Sequence, residues 1–476
     1  MFDVVVIGGG VVGGLILREL TKYNLNVCLL EKENDVAMGA SKANSGIVHG
    51  GYDAKVGTLK AKFNVLGNEM MESVCNALGV KFSRNGALVV AFTVDEIKTL
   101  NELKERGELN GVKGLEIIDK ERLRKMEQNI SDNALAALYS PTTGTVCPYE
   151  LTIASIGNAM DNGAKLFLEF EVSKIEKTAN GYTIKSSDGQ IVESKLIINC
   201  AGLFSGEIAN MVEDTDIDVK ARKGEYLLLD RESGDFVSHT LFFTPTKLGK
   251  GILVTKTVDG NVLLGPTAVE QEISDTKTTQ DGLNFITEKV KKMCKNIPLH
   301  NVITSFSGVR AYSTKHDFII EESKNSKGVI HVAGIESPGL TASPAIAKYV
   351  VENLVGGLVN LEENKSFNGK RKPDYFFKNL SIEEKNEIIK KDPSYGKIVC
   401  RCEQVTEGEI LRAIRENPPA NDIDGVKRRT RSGMGRCQGG FCQPYVLELI
   451  AKERNLSVTD ITKSGKGSYI LTGVTK

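Results

Sequence analysis

The sequence has no net charge: 61 lysines and arginines are matched by 61 aspartates and glutamates over 476 residues. Nothing global therefore recruits nucleic acid or an anionic membrane. Long apolar runs are also missing. No stretch approaches the ~18 residues of a membrane-spanning helix, and strand character starts at Phe2, which leaves no room for a signal peptide. A cytoplasmic protein is expected, with at most peripheral membrane contact. Internal repeats and low-complexity tracts are absent, and a hydrophobic fraction of 41% is ordinary for globular domains. The chain is long enough for two or three of them. A disulfide framework is lacking too: Cys28, Cys75, Cys147, Cys200 and Cys294 are scattered and read as small buried hydrophobes. Only Cys400, Cys402, Cys437 and Cys442 cluster, and paired thiols in a cytosolic chain point to metal.

What is present begins at the N-terminus. Residues 2–7 read as a buried β-branched strand, Gly8, Gly10 and Gly13 form GxGxxG, a helical stretch follows, and a second strand ends at Glu31, eighteen residues after Gly13. The glycines allow a tight turn, close approach of backbone to a pyrophosphate, and close packing of helix on sheet. The helix N-terminus offers unpaired N–H groups to phosphates, and an acid at the second strand's end suits a ribose hydroxyl. This is a dinucleotide site that accepts NAD or FAD.

Behind it, GASKANSGIVHGGYDAK is glycine-rich and carries His49. A helix is expected over about residues 58–78. Strands and charged helices from residue 81 onward open an inserted domain; an apolar strand ending at Ala201-Gly202 returns to the nucleotide sheet. A second excursion ends in SGVRAY, and KGVIHVAGIESPGLTASPAIA gives strand, turn and helix again, with Ser337 as the expected N-cap, the alternative being contact with substrate. The fold class is α/β: a discontinuous Rossmann-like domain (about 1–78, 150–205 and 325–360) with an inserted α+β substrate domain (about 79–149 and 206–324). Residues 361–398 read as a linker holding a short helix with a Ser381/Glu384 capping box. A small helical four-cysteine domain follows over 399–455, with Thr406/Glu409 as a second box, and 456–476 read as a tail.

These motifs resemble the glycerol-3-phosphate dehydrogenase and oxidase branch of the D-amino-acid-oxidase-like flavoproteins, with a C-terminal domain similar to bacterioferritin-associated ferredoxin. The carriers are GGGVVGG, SGIVHGGYDAK, NCAG, SGVRAY, GIESPGLTASPAIA, CRC and GMGRCQGGFC. The resemblance implies FAD held by Gly8, Gly10, Gly13, Glu31 and Lys32, with Val172 beside it. Ser41, Asn44, Ser45, His49 and Gly50 would line the isoalloxazine, and Ala201, Gly202 and Gly334 would pass near the cofactor. Gly339, Leu340 and Thr341 would bring a helix N-terminus to the flavin pyrimidine ring, where about half a positive charge favours the anion formed on reduction.

The implied activity is oxidation of sn-glycerol 3-phosphate. His49 is the expected proton acceptor, the alternative being packing against the flavin. Arg310 is the expected anion clamp and suits phosphate and carboxylate equally. Lys256 is a second candidate by family position and a common type of exposed strand residue. The four terminal cysteines imply a [2Fe–2S] cluster, with structural zinc as the alternative; the four residues between Cys437 and Cys442 depart from the ferredoxin's CxxC. Lys427, Arg428, Arg429, Arg431 and Arg436 are expected to offset the cluster's charge and to dock an acidic redox partner, a subunit or a quinone-linked acceptor. No aromatic platform interleaves them, so nucleic acid is not expected. Rival readings are oxidation of an L-2-hydroxy acid such as 2-hydroxyglutarate or of an amino acid, and a non-catalytic adaptor subunit.

Overall fold

A computed structural model describes residues 1–245, 251–271, 275–371 and 377–473. Strand β1 (Phe2–Ile7) lies at the heart of an eight-stranded sheet, parallel to β2 (Val27–Leu30) on one side and to the return strand Ile191–Asn199 on the other. Its residues alternate between two cores. Val4 and Val6 face helix α1 (Val11–Leu20) and its neighbours, while Val5 and Ile7 face the antiparallel strands Val172–Thr178 and Gly181–Ser186. Burial on both faces explains why the segment reads as a continuous β-branched run. Helix α2 (Leu59–Leu78) starts at the Thr58 cap, whose side chain accepts from the Ala61 N–H, and ends on left-handed Gly79.

The two excursions form one domain. Strand Ala87–Ala91 of the first pairs in parallel with Thr240–Phe243 of the second, closing a nine-stranded sheet. Its longest pairing is antiparallel, between Val219–Leu229 and Val302–Ser313. One boundary of this domain differs from the sequence reading. Ile319–Glu322 pairs with Val329–Ala333 and so belongs to the nucleotide sheet.

The segment read as a linker is in part a strap. The Asn364 N–H donates to the Lys22 carbonyl, Arg18 to the Gly369 carbonyl and the Arg371 N–H to the Ala77 carbonyl. Part of its polarity serves contacts with α1 and α2, while Glu362, Glu363, Lys365, Ser366, Asn368 and Lys370 stay exposed. Residues 372–376 of it lie outside the described residues. Both capping boxes form, opening helices Ile382–Lys391 and Glu407–Arg415. The terminal module adds helices Ile423–Thr430 and Gln443–Arg454 around a core that includes Ile410, Val426 and Ile450. Ile461 is buried in that core and Thr462 bridges to Tyr469, so the described part of the expected tail belongs to the module. Among the described residues no helix is long and apolar enough to cross a membrane.

Candidate active site

The glycine loop is shaped by contacts that a side chain would break. Gly8 has φ +111°, and a Cβ there would collide with the Cys200 carbonyl oxygen; a Cβ on Gly13 would collide with the carbonyl of Gly8. The loop, α1 and the return strand therefore interlock through backbone. Gly10 caps α1 without a side-chain hydrogen bond, and no acid lies in the first turn. Among the first N–H groups, that of Val11 donates to Ser41 Oγ at 2.9 Å. The end of α1 is thus open to an anion. Glu31 accepts from the N–H groups of Gly9 (2.6 Å) and Glu33 (3.0 Å). Burial pushes its carboxyl pKa up, and those two N–H donors oppose the shift. Lys32 lies 3.7 Å from the centroid of the Phe204 ring.

A cavity of about 2740 Å³ runs from this loop to the substrate sheet. Gly8, Gly10, Gly13, Glu31, Lys32, Ser41, Asn44, Ser45, His49, Ala201, Gly202, Gly339 and Leu340 all line it, and Arg310 lines its far wall. Five expected residues lie behind or away from the lining. Thr341 accepts the His49 N–H at 2.8 Å. Gly50 is turned toward Ser140, and Gly334 packs on Ser313, its φ being +64°. Val172 packs in the apolar cluster behind the nucleotide sheet. Lys256 closes strand Leu253–Lys256 and pairs with fully exposed Asp235 at 3.0 Å. A lysine at a strand end reaches solvent more readily than a cavity, so the candidacy of Lys256 is not supported by its position.

His49 is held on both sides of its backbone, because its carbonyl accepts from Asn64 (3.1 Å) and Asn68 (2.9 Å) on α2. Its ring centroid is 6.0 Å from that of Phe242, and Nε2 is 3.3 Å from Ser337 Oγ. Ser337 is not the N-cap expected from sequence. The helix begins at Gly339 with Pro338 in the cap position and no side-chain cap, which frees the Ser337 hydroxyl to meet His49. Asn44 braces its own loop, donating to the carbonyls of Ala40 and Ser41 and accepting from the Gly46 N–H. At the substrate end, Arg310 donates to the Thr267 carbonyl at 3.1 Å. Lys60, Lys220 and Arg222 also line the cavity. Lys220 and Arg222 are two residues apart in KARKGEY, the spacing of one strand face, and Lys223 and Glu225 are buried; Val219, Ala221 and Tyr226 of the same strand also reach the cavity, so the pattern alone does not single the two cations out.

The four terminal thiols approach one another in pairs. Cys402 Sγ is 3.5 Å from Cys437 Sγ. Hydrogen bonding to Cys442 draws the Cys400 thiol down to about 6 and pushes that of Cys442 up. Thiolate ligands meeting two by two suit two irons. The basic residues around them have partners within this same chain. Arg428 and Arg429 bind Asp35, and Arg431 binds Asp259 (2.7 Å) and Glu403 (3.0 Å). Arg436 pairs with Asp230 (3.4 Å) and Glu232 (2.5 Å). Asp35, Asp230, Glu232 and Asp259 belong to the flavoprotein part and Glu403 to the module itself, so these arginines already have acidic partners within the chain. Tyr149, at the start of helix Pro148–Asp161, reaches Met434 Sδ in the cysteine loop at 3.5 Å.

Residues 3–353 match the model of the FAD dependent oxidoreductase family. The chain belongs to that family. The glycine cradle and the open end of α1 fit the ADP half of FAD, the cofactor of this flavoprotein. Residues 398–452 match the BFD-like [2Fe-2S] binding domain, and the four cysteines fall within that span. The flavoprotein is 51% identical over 478 aligned residues to a glycerol 3-phosphate dehydrogenase of Caloramator mitchellensis, covering 100% of this chain and 99% of the relative. A glycerol 3-phosphate oxidase of Mycoplasma genitalium is 34% identical over 77% of this chain and 96% of its own length. Among solved structures, the dithionite-reduced L-alpha-glycerophosphate oxidase of Mycoplasma pneumoniae with FAD bound superposes with a TM-score of 0.74. It is 30% identical and covers 78% of this chain and 98% of its own.

Proposed function

We propose that this flavoprotein is a dehydrogenase that oxidises sn-glycerol 3-phosphate to dihydroxyacetone phosphate. The observation that carries the reading is one cavity lined by the glycine cradle, His49 and Arg310, in a chain alike over its whole length to a glycerol 3-phosphate dehydrogenase. Bound FAD supplies the hydride acceptor. Gly8, Gly10, Gly13 and Glu31 hold its ADP half, and the uncapped start of helix Gly339–Tyr349 favours negative charge nearby. Arg310 holds the substrate phosphate through its fork of N–H donors. His49, with its backbone fixed by Thr341, Asn64 and Asn68, accepts the C2 hydroxyl proton as hydride leaves the same carbon. Hydride and proton together account for both electrons and both hydrogens lost by the alcohol.

The docked module, its thiolate pairs supporting [2Fe–2S], provides a one-electron outlet toward a partner protein or quinone-linked acceptor. The site of action is the cytoplasm, with at most peripheral contact with the inner membrane face.

Anaerobic mixing with a panel of substrates, followed through the bound flavin's absorption, tests the reading. Bleaching by glycerol 3-phosphate is expected. Bleaching by 2-hydroxyglutarate or an amino acid, and not by glycerol 3-phosphate, overturns it.

A further inference from the structure

Arg222 stands directly opposite Arg310 in the antiparallel register of Val219–Leu229 and Val302–Ser313, and both guanidinium groups line the cavity. Like charges directly opposed across a strand pair are destabilising. Their partners do not remove the excess. Among the described residues no carboxylate lies within ion-pair distance of Arg310, whose recorded bond is to the Thr267 carbonyl. Arg222 lies 4.2 Å from the centroid of the Tyr312 ring and reaches Glu270 at 3.3 Å and Glu336 at 3.9 Å. Both separations exceed the ~2.7–2.9 Å of a well-formed charge-assisted bond. Each carboxylate has a nearer partner: Lys60 is 2.7 Å from Glu336, and the Tyr312 hydroxyl donates to Glu270 at 2.8 Å. The guanidinium of Arg222 is thus oriented by an aromatic face, a long hydrogen bond to Glu270 and a weak ion pair to Glu336, with donors left over.

We infer that Arg222 is a second phosphate-binding arm facing Arg310, and that this pair makes the site selective for a phosphorylated alcohol. The inference rests on the proposed function. Arg222 and Arg310 together present two guanidinium charges to the cavity from facing strand positions. A phosphate monoester carries about two negative charges at neutral pH. Two guanidiniums facing each other match that charge. An unphosphorylated polyol would bring no anion to the two guanidiniums, and a monocarboxylate would bring only one negative charge.

The test uses the FAD-loaded full chain and two variants, R222M and R222K. Inorganic phosphate is titrated calorimetrically, and kcat/KM is measured for glycerol 3-phosphate and for glycerol. In R222M, phosphate affinity and kcat/KM for glycerol 3-phosphate are expected to fall about 10- to 100-fold, as for loss of a hydrogen bond to a charged group. FAD content stays at the wild-type value, glycerol turnover falls less than glycerol 3-phosphate turnover, and R222K retains an intermediate phosphate affinity because it keeps the charge without the fork. Unchanged phosphate affinity in both variants overturns the inference, as does equal loss toward glycerol and glycerol 3-phosphate. A wild-type enzyme that binds phosphate but oxidises neither compound overturns the proposed function instead.

Discussion

Asp35 and Arg429 form a bidentate ion pair, Oδ1 to Nη2 and Oδ2 to Nη1, each at 2.8 Å. The side chains are 2% and 7% exposed. Asp35 follows the strand that ends beside Glu31, and Arg429 belongs to the cysteine module, so a buried charge pair ties that module to the loop behind the dinucleotide site. Arg428 reaches the same carboxylate at 2.6 Å. A buried carboxylate shared by two guanidiniums is costly to remove, because two desolvated cations then lack their counter-charge.

Replacing Asp35 by Asn should destabilise the docked module by about 3–5 kcal/mol. Limited proteolysis reads this as faster cleavage between the strap and residue 398. A cleavage rate equal to wild type would show that the pair does not hold the module.

The same pair sets an acid limit. Burial would raise the Asp35 pKa, but Arg429 and Arg428 outweigh it and bring the carboxyl from 3.8 to about 2. A carboxylate depressed in the folded state stabilises above its unfolded pKa, and that contribution fades as pH falls from 3.8 through 2. Over that window the wild type should lose more stability than Asp35→Asn, measured as the shift of unfolding midpoint with pH.

Replacing His49 by Gln should slow flavin reduction by glycerol 3-phosphate about 10²- to 10⁴-fold, the usual contribution of a general base. FAD content should stay near one per chain. Stopped-flow absorption gives the rate, and wild-type speed would leave the ring a packing role against Phe242.

A methyl group at Gly8 meets the Cys200 carbonyl and a φ of +111° at once. Gly8→Ala should purify with little or no FAD, measured by the ratio of flavin to protein absorbance. Full FAD occupancy would mean that the loop tolerates the shift.

Lys256→Ala should leave KM and kcat for glycerol 3-phosphate unchanged, since the ammonium pairs with an exposed carboxylate, an arrangement worth about 0–1 kcal/mol. A rise in KM of tenfold or more in steady-state assays would return Lys256 to the site.

Local signals were legible where one short segment held all the parts. The boxes at Ser381/Glu384 and Thr406/Glu409 formed because cap and acid are three residues apart. Helix α2 runs from the Thr58 cap to left-handed Gly79 for the same kind of reason. That logic fails at Ser337. A serine before Pro-Gly resembles a cap, yet its hydroxyl meets an imidazole 288 positions earlier in the chain. Arg222 has no decisive local signal, because a lysine or arginine in alternation looks like a solvated strand edge until the facing strand is known.

The sequence by itself determined the dinucleotide cradle, the inserted domain and the thiolate pairs, because glycine sterics, hydrophobic period and cysteine spacing act over a few residues. Tertiary structure decided which charges meet. Arg428, Arg429 and Arg431 read as a face for an outside partner, and folding spent them on Asp35, Asp259 and Glu403 of the same chain. A long-range ion pair is fixed by which surfaces pack and exclude water, and no local pattern encodes that.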